Sequence, residues 1–211
     1  MAAVYDMATG EIIMKHLVLA GIILLSATAA LSAETAMTPD RIIDAAVGDW
    51  NKDGQPDLAL LATVPPNDET DVEISIYIYL RDKERSLLKL AAAAPGKVWG
   101  RAEPGGIMGQ EPSVAALPNG SIAVTSQNDA IGRDRWHQTL TIAFRDNAFI
   151  VAGFTFDYRD NLEAERSYSC DYNVLTGKAT KRDKGFKTEA RTIRVEDWDD
   201  EIGRKICDEA P

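Results

Sequence analysis

Oxygen-bearing side chains recur at short, regular intervals in Asp49-Trp50-Asn51-Lys52-Asp53-Gly54-Gln55-Pro56-Asp57. Asp49, Asn51 and Asp53 alternate, Gly54 permits a sharp turn, and Asp57 returns a further carboxylate, so the side-chain oxygens are directed at a volume about one ion across. Three carboxylates held that close repel one another unless a hard cation neutralises them. A ligand set of oxygens without nitrogen or sulfur selects calcium over zinc. The expected shell is the side-chain oxygens of Asp49, Asn51, Asp53 and Asp57 with the main-chain carbonyl of Gln55. An EF-hand would need a bidentate acid at its twelfth position. That position is Leu60, and the flanking residues read as strands, so a helix-loop-helix is excluded. The alternative is a cation-free turn, held by hydrogen bonds from nearby amides to the Asp and Asn side chains.

Other residues offer less chemistry. The two cysteines, Cys170 and Cys207, lack C-x-x-C spacing and are expected to form a disulfide, the alternative being two unpaired thiols. Closing a loop of about 38 residues is worth roughly 4 kcal/mol in the chain-entropy model. Outside the leader described below, His137 is the lone histidine, which excludes His-rich zinc sites. Asp134, His137 and a nearby serine have the residue types of a hydrolytic triad, but His137 sits beside Trp136 at a strand start, where a structural role is expected. Ser86-Leu87-Leu88-Lys89 matches S-x-x-K without the accompanying K-T-G, and Thr176-Gly177-Lys178 lacks the upstream glycine of a phosphate loop. Arg133, Arg135, Trp136 and Tyr158 would make an aromatic and cationic surface for a glycan or peptide. In the alternative, Trp136 packs a hairpin and the arginines are solvated.

The elements that must position these residues are mostly strands. Val72, Ile74, Ile76, Ile78 and Leu80 alternate with Glu73, Ser75, Tyr77, Tyr79 and Arg81, the period of a half-buried strand. A continuous apolar run over 57–64 predicts its hairpin partner, with a turn through Pro65, Pro66 and Asn67. Residues 113–117 and 121–126 flank Pro118-Asn119-Gly120, where Asn-Gly supplies the positive φ angles of a tight turn. Leu140, Ile142 and Phe144 lead to Asp146-Asn147, and 149–156 returns. Short strands are expected over 167–174 and 187–195, and an irregular loop over 104–109. Val195, Trp198, Ile202 and Ile206 recur at helical spacing, with Asp197, Asp199 and Asp200 early and Arg204 and Lys205 late, suiting the helix dipole. Gly203 lies inside that stretch, and Cys207 at its end would tie the helix to the strand carrying Cys170.

The chain has 211 residues, 45% of them hydrophobic, and a net charge of −10. This composition fits one globular domain rather than disorder. The negative charge and the absence of a Lys/Arg cluster exclude nucleic acid as partner. Residues 1–33 read as a secretory signal peptide: Met14-Lys15-His16 is a basic head, 17–25 an unbroken apolar run, and Ala30-Leu31-Ser32-Ala33 a cleavage site. The preceding residues carry Asp6 and Glu11 and no base, which suggests a true start at Met14. The apolar run is too short to span a bilayer of about 30 Å, with an uncleaved anchor as the alternative. No cysteine at the cleavage site offers a lipid attachment point. The expected product, 34–211, is a single β-rich domain, periplasmic or secreted, with no stable membrane span.

Ala45-Ala46-Val47 followed by Gly48-Asp49-Trp50-Asn51-Lys52-Asp53-Gly54-Gln55-Pro56-Asp57-Leu58-Ala59-Leu60-Leu61 resembles the calcium-binding strand-loop-strand of FG-GAP/VCBS repeats, which build integrin-like β-propeller blades. The resemblance places a calcium hairpin at about 42–80. No second D-x-[DN]-x-D-G follows, so a full propeller is not expected. Residues 132–136, 140–145 and 173–178 are similar to stretches of secreted Gram-negative proteins carrying one such loop near the N-terminus, which implies a fold and a location but no particular activity.

The expected fold is mainly β: an antiparallel meander, propeller-blade-like or sandwich, with a short C-terminal helix. The expected function is that of an exported calcium-binding β-domain, a noncatalytic binding or envelope-associated protein with a protein or glycan partner in the envelope. The alternative is a hydrolase using acidic residues, which carboxylates facing a deep cleft would favour.

Overall fold

The structure, a computed structural model, describes residues 41–63, 73–84, 86–101 and 108–209. The signal peptide with its cleavage site, the Pro65-Pro66-Asn67 turn and most of the 104–109 loop lie outside the described residues. Among the described residues the fold comprises two antiparallel sheets and one α-helix. The first sheet is a meander of β1 (Ile42–Gly48), β2 (Asp57–Thr63), β3 (Ile74–Arg81) and β4 (Leu88–Val98). The second begins with β5 (Ser113–Ala116), β6 (Ile122–Asn128), β7 (Asp134–Arg145) and β8 (Ala148–Asp160). It continues through β9 (Tyr168–Asn173), β10 (Lys178–Lys181) and β11 (Lys184–Lys187), and α1 (Asp200–Glu209) follows. Within each sheet every strand pairs with its neighbour in sequence. The mainly β, antiparallel character with a short C-terminal helix is as the sequence predicts, and neither sheet closes into a barrel.

The period of two decides which side chains enter the core. Ile74, Ile76 and Ile78 are buried on one face of β3, opposite Ala59 and Leu61 of β2. In the second sheet, Leu140, Phe154 and Tyr172 form a buried row across β7, β8 and β9. Both sheets contribute to one hydrophobic cluster. They are also joined by a polar contact: the Asp44 carboxylate on β1 accepts from the Val114 amide on β5 at 2.8 Å.

The turns follow local chemistry, with one revision. Asp146 and Asn147 both take positive φ, 48° and 59°, the two-residue type I′ turn whose twist matches the flanking strands. Arg182-Asp183 does the same between β10 and β11, at 47° and 63°. At Pro118-Asn119-Gly120, however, only Gly120 has positive φ, 83°. Gly120 N–H donates to the Leu117 carbonyl and Leu117 N–H to the Ser121 carbonyl, a proline-initiated turn followed by one left-handed glycine. Proline at the first central position fixes φ near −65° and excludes the two-residue mirror turn.

Three further expectations are corrected. Residues 187–195 do not form a strand: β11 ends at Lys187, and the following segment pairs with β8 only as an isolated bridge from Arg194 to Ile150. The helix begins at Asp200, not near Val195; Val195–Asp197 is a separate 3-10 turn. Arg204 and Lys205 therefore lie in mid-helix, and the last turn carries no basic residue. Val195 and Trp198, fully buried, act as plugs ahead of the helix.

α1 packs on the inner face of the second sheet. Gly203 is required there: a Cβ at that position would lie 2.4 Å from the Phe154 ring. A polar chain adds direction to this contact. Trp198 Nε1 and Gln138 Nε2 both donate to the Asp200 carboxylate, and Arg204 donates to Gln138 Oε1 at 3.3 Å. Cys207 is bonded to Cys170 of β9, the disulfide expected from the sequence.

Candidate functional site

The acidic loop, 49–56, connects β1 and β2 and closes on itself. Asp49 accepts from the Asp53 and Gly54 amides through its two oxygens, both at 2.9 Å. Asn51 Oδ1 accepts from the same Asp53 amide at 3.1 Å, and Asp53 Oδ1 accepts from the Gln55 amide at 2.8 Å. Lys52 and Gly54 take the positive φ values, 58° and 85°, that the tight path needs. Asp57, buried, faces elsewhere: its oxygens accept from the amides of Trp50 at 2.9 Å and Arg81 at 2.8 Å. The structure thus gathers Asp49 and Asn51 on the Asp53 amide, sets the Asp53 carboxylate on the Gln55 amide, and anchors Asp57 at the strand base. Among the described residues no group of three or more His, Cys, Asp or Glu is placed to hold a metal. The donor chemistry nonetheless fits a hard cation, because every side chain offered is an oxygen ligand and each carboxylate retains lone pairs beyond those its amides use.

Of the four residues expected to form a recognition surface, Arg133 is committed to the fold. Its Nε donates to both oxygens of the buried Asp160, at 2.8 and 2.9 Å, and its Nη2 lies 2.7 Å from Asp160 and from Glu163. The amides of Leu162 and Glu163 also donate to Asp160. Arg133, followed by these amides, holds the Asp160 carboxyl well below the usual carboxylate range. A carboxyl with a depressed folded pKa stabilises the fold above its unfolded pKa of about 4, and the stabilisation is lost as pH falls. Asp160→Asn is therefore expected to lower the melting temperature at pH 7 by several degrees and to flatten its acid dependence below about pH 5. Thermal unfolding followed across pH checks both; an unchanged acid limb would remove Asp160 from the account.

The hydrolytic arrangements are not assembled. Asp134 accepts from the Tyr158 hydroxyl, whereas His137 Nε2 lies 2.6 Å from Asp129. Among the described residues no serine hydroxyl is bonded to His137. Lys89 is paired with Asp82 rather than with Ser86.

Arg135, Trp136 and Tyr158 all border an open groove of about 550 Å³ at one end of β7, β8 and β9, but alternation along the strands sends the Trp136 side chain, with its register partner Tyr158, to the face opposite Arg135. Trp136 is half-buried, with its ring 4.8 Å from that of Trp99 and the Arg204 guanidinium 4.8 Å from its centroid. Trp136 thus packs against Phe156 of β8, Trp99 beyond β4 and Arg204 of α1. The Tyr158 and Tyr168 rings lie 5.4 Å apart. Hydrogen bonding to Asp134 and burial push the Tyr158 phenol up, and burial with the bond to Asp208 does the same for Tyr168. Both remain neutral at neutral pH. The groove also takes Asp157, Arg159, Ser169, Arg182 and Asp183, none of which belongs to a motif. Their signal in the sequence is faint: Asp157 and Arg159 occupy the polar phase of β8, which reads as an ordinary solvated face. Comparison with protein-family models, curated proteins and solved structures finds no match for this chain.

Proposed function

We propose that this chain is an exported, noncatalytic binding domain, built on a single FG-GAP/VCBS-like calcium hairpin, that receives its ligand in the groove at the end of β7, β8 and β9. The observation that carries this reading is the groove itself, whose volume of about 550 Å³ falls in the range of small-ligand sites and whose lining carries charges of both signs. A protein or glycan of the bacterial envelope is the partner class.

Export to the periplasm or beyond is supported by the buried Cys170–Cys207 disulfide, a bond that persists in oxidising compartments. Among the described residues no helix is long and apolar enough to cross a membrane. Asp49, Asn51 and Asp53, with the Gln55 carbonyl, would hold calcium, while Asp57 braces the strand base through the Trp50 and Arg81 amides. The ion supplies charge neutralisation and a fixed path between β1 and β2. A second reading, an acid-based hydrolase, is favoured by the exposed carboxylates of Asp157 and Asp183 in the same groove.

The test is a thermal-shift screen of the oxidised, calcium-supplied chain against saccharides and short peptides, repeated on Ser169→Trp, which fills the groove from an exposed position. Ligands that raise the melting temperature of the parent but not of the variant support the reading. Equal shifts in both, or none in either, overturn it. Release of new reducing ends from a saccharide substrate would favour the hydrolase instead.

A further inference from the structure

Within the groove, one guanidinium has no acceptor among the described residues. The register sets Arg135 of β7 directly opposite Arg159 of β8, so both side chains leave the sheet on one face, where like charges repel. Arg159 is matched by Asp129, Nη2 to Oδ1 at 3.2 Å, and Asp129 also holds His137. Arg182 donates to the Glu165 carbonyl at 2.7 Å. Arg135 has no hydrogen bond or ion pair among the described residues, and its Nη1 is buried without an acceptor. A guanidinium left in that state beside a second cation is stabilised by any anion that reaches it, and its planar fork fits a carboxylate in two parallel hydrogen bonds.

The neighbouring row narrows the class. His137, Asp157 and Ser169 stand opposite one another on β7, β8 and β9, and Asp157 and Ser169 line the groove with Asp183. Among the described residues Asp157 and Asp183 carry no ion pair. Two such carboxylates repel a doubly charged phosphate or sulfate more than a singly charged carboxylate. The net charge of −10 works against a long polyanion. The same carboxylates and the Ser169 hydroxyl accept hydrogen bonds from ligand hydroxyls. We propose, resting on the groove reading above, that the site takes a short carboxylate-bearing saccharide, its carboxylate on Arg135 and its hydroxyls on Asp157 and Ser169.

Calorimetric titration of the oxidised, calcium-supplied chain tests this with four probes: digalacturonate, its neutral counterpart galactobiose, inorganic phosphate and glycine. Digalacturonate is expected to bind at least about tenfold more tightly than galactobiose. Arg135→Gln should abolish that preference, and Arg135→Lys, which keeps the charge without the fork, should restore part of it. Thermal unfolding of each variant reports whether it is folded; where Arg135→Gln is not, Arg135→Lys carries the test through its weakened preference. Equal binding of the two disaccharides, or an unaltered preference in the folded variant, overturns the carboxylate assignment while a ligand lost in Ser169→Trp leaves the groove reading in place. Tighter binding of phosphate or glycine also overturns it. Absence of binding by all four overturns the assignment; the groove reading then falls or stands by the wider screen.

Discussion

Addition of calcium to the oxidised chain at about 100 times its dissociation constant is expected to stabilise it by about 2.7 kcal/mol. For a domain of this size that corresponds to a rise of roughly 6–10 °C in melting temperature, reversed by chelator. The stabilisation would arise because the folded hairpin fixes the oxygens of Asp49, Asn51 and Asp53 toward one point, whereas the open chain leaves their directions unset. The loop is already shaped by amides donating to Asp49, Asn51 and Asp53, so the ion meets a prepared path. Asp53→Ala should remove the rise altogether and, in chelator, cost only about 1 kcal/mol for the lost turn hydrogen bonds. A melting temperature indifferent to calcium and chelator, with Asp53→Ala lowering it equally in both, would establish the loop as a hydrogen-bonded turn and sink the metal.

Reduction of Cys170–Cys207, or the double change Cys170→Ser with Cys207→Ser, is expected to cost about 4 kcal/mol, because the bond restrains a long loop in the unfolded chain. With the residues 37 apart in sequence, the melting temperature should fall by roughly 8–16 °C. The two cysteines are buried against β9 and α1. The remaining contacts of α1, the Asp200–Gln138–Arg204 chain and Gly203 on Phe154, then carry the helix alone. Near-ultraviolet circular dichroism of the aromatic residues beneath α1 should weaken before the strand signal on heating under reducing conditions. A melting temperature that reductant leaves unchanged would contradict the assignment of the bond as a structural staple.

How much of this was legible in the sequence depended on whether packing or pairing decides each element. β3 and β7 announce themselves because one face is buried and the other is not, which writes a period of two into Ile74, Ile76, Ile78 and into Leu140, Ile142. The β7–β8 turn is legible because Asp146-Asn147 tolerates positive φ. β4 carries no such mark: its alanines, Pro95 and Gly96 serve a strand held largely by its neighbour β3. β10 and β11 are similarly polar, with Lys178, Thr180, Lys184 and Lys187 exposed. Val195 and Trp198 mimic a helical face because they share a core with Ile202, although the backbone between them has another path. The acidic loop was legible as local spacing. The groove was not, because Asp129, Arg135, Asp157 and Asp183 are brought together by register across strands, and register is absent from composition and short motifs alike.

The unbroken sequential order of strands within each sheet also governs how quickly the chain can find its fold. Each hairpin closes over a short stretch of chain, so the entropy lost at each step is small compared with that of a Greek-key sandwich. The contacts spanning long separations, Asp44 to Val114 and Cys170 to Cys207, come after the local pairings they connect. The chain can therefore complete its hairpins first and join sheet to sheet and helix to strand last, which keeps few unpaired edges exposed while it does so.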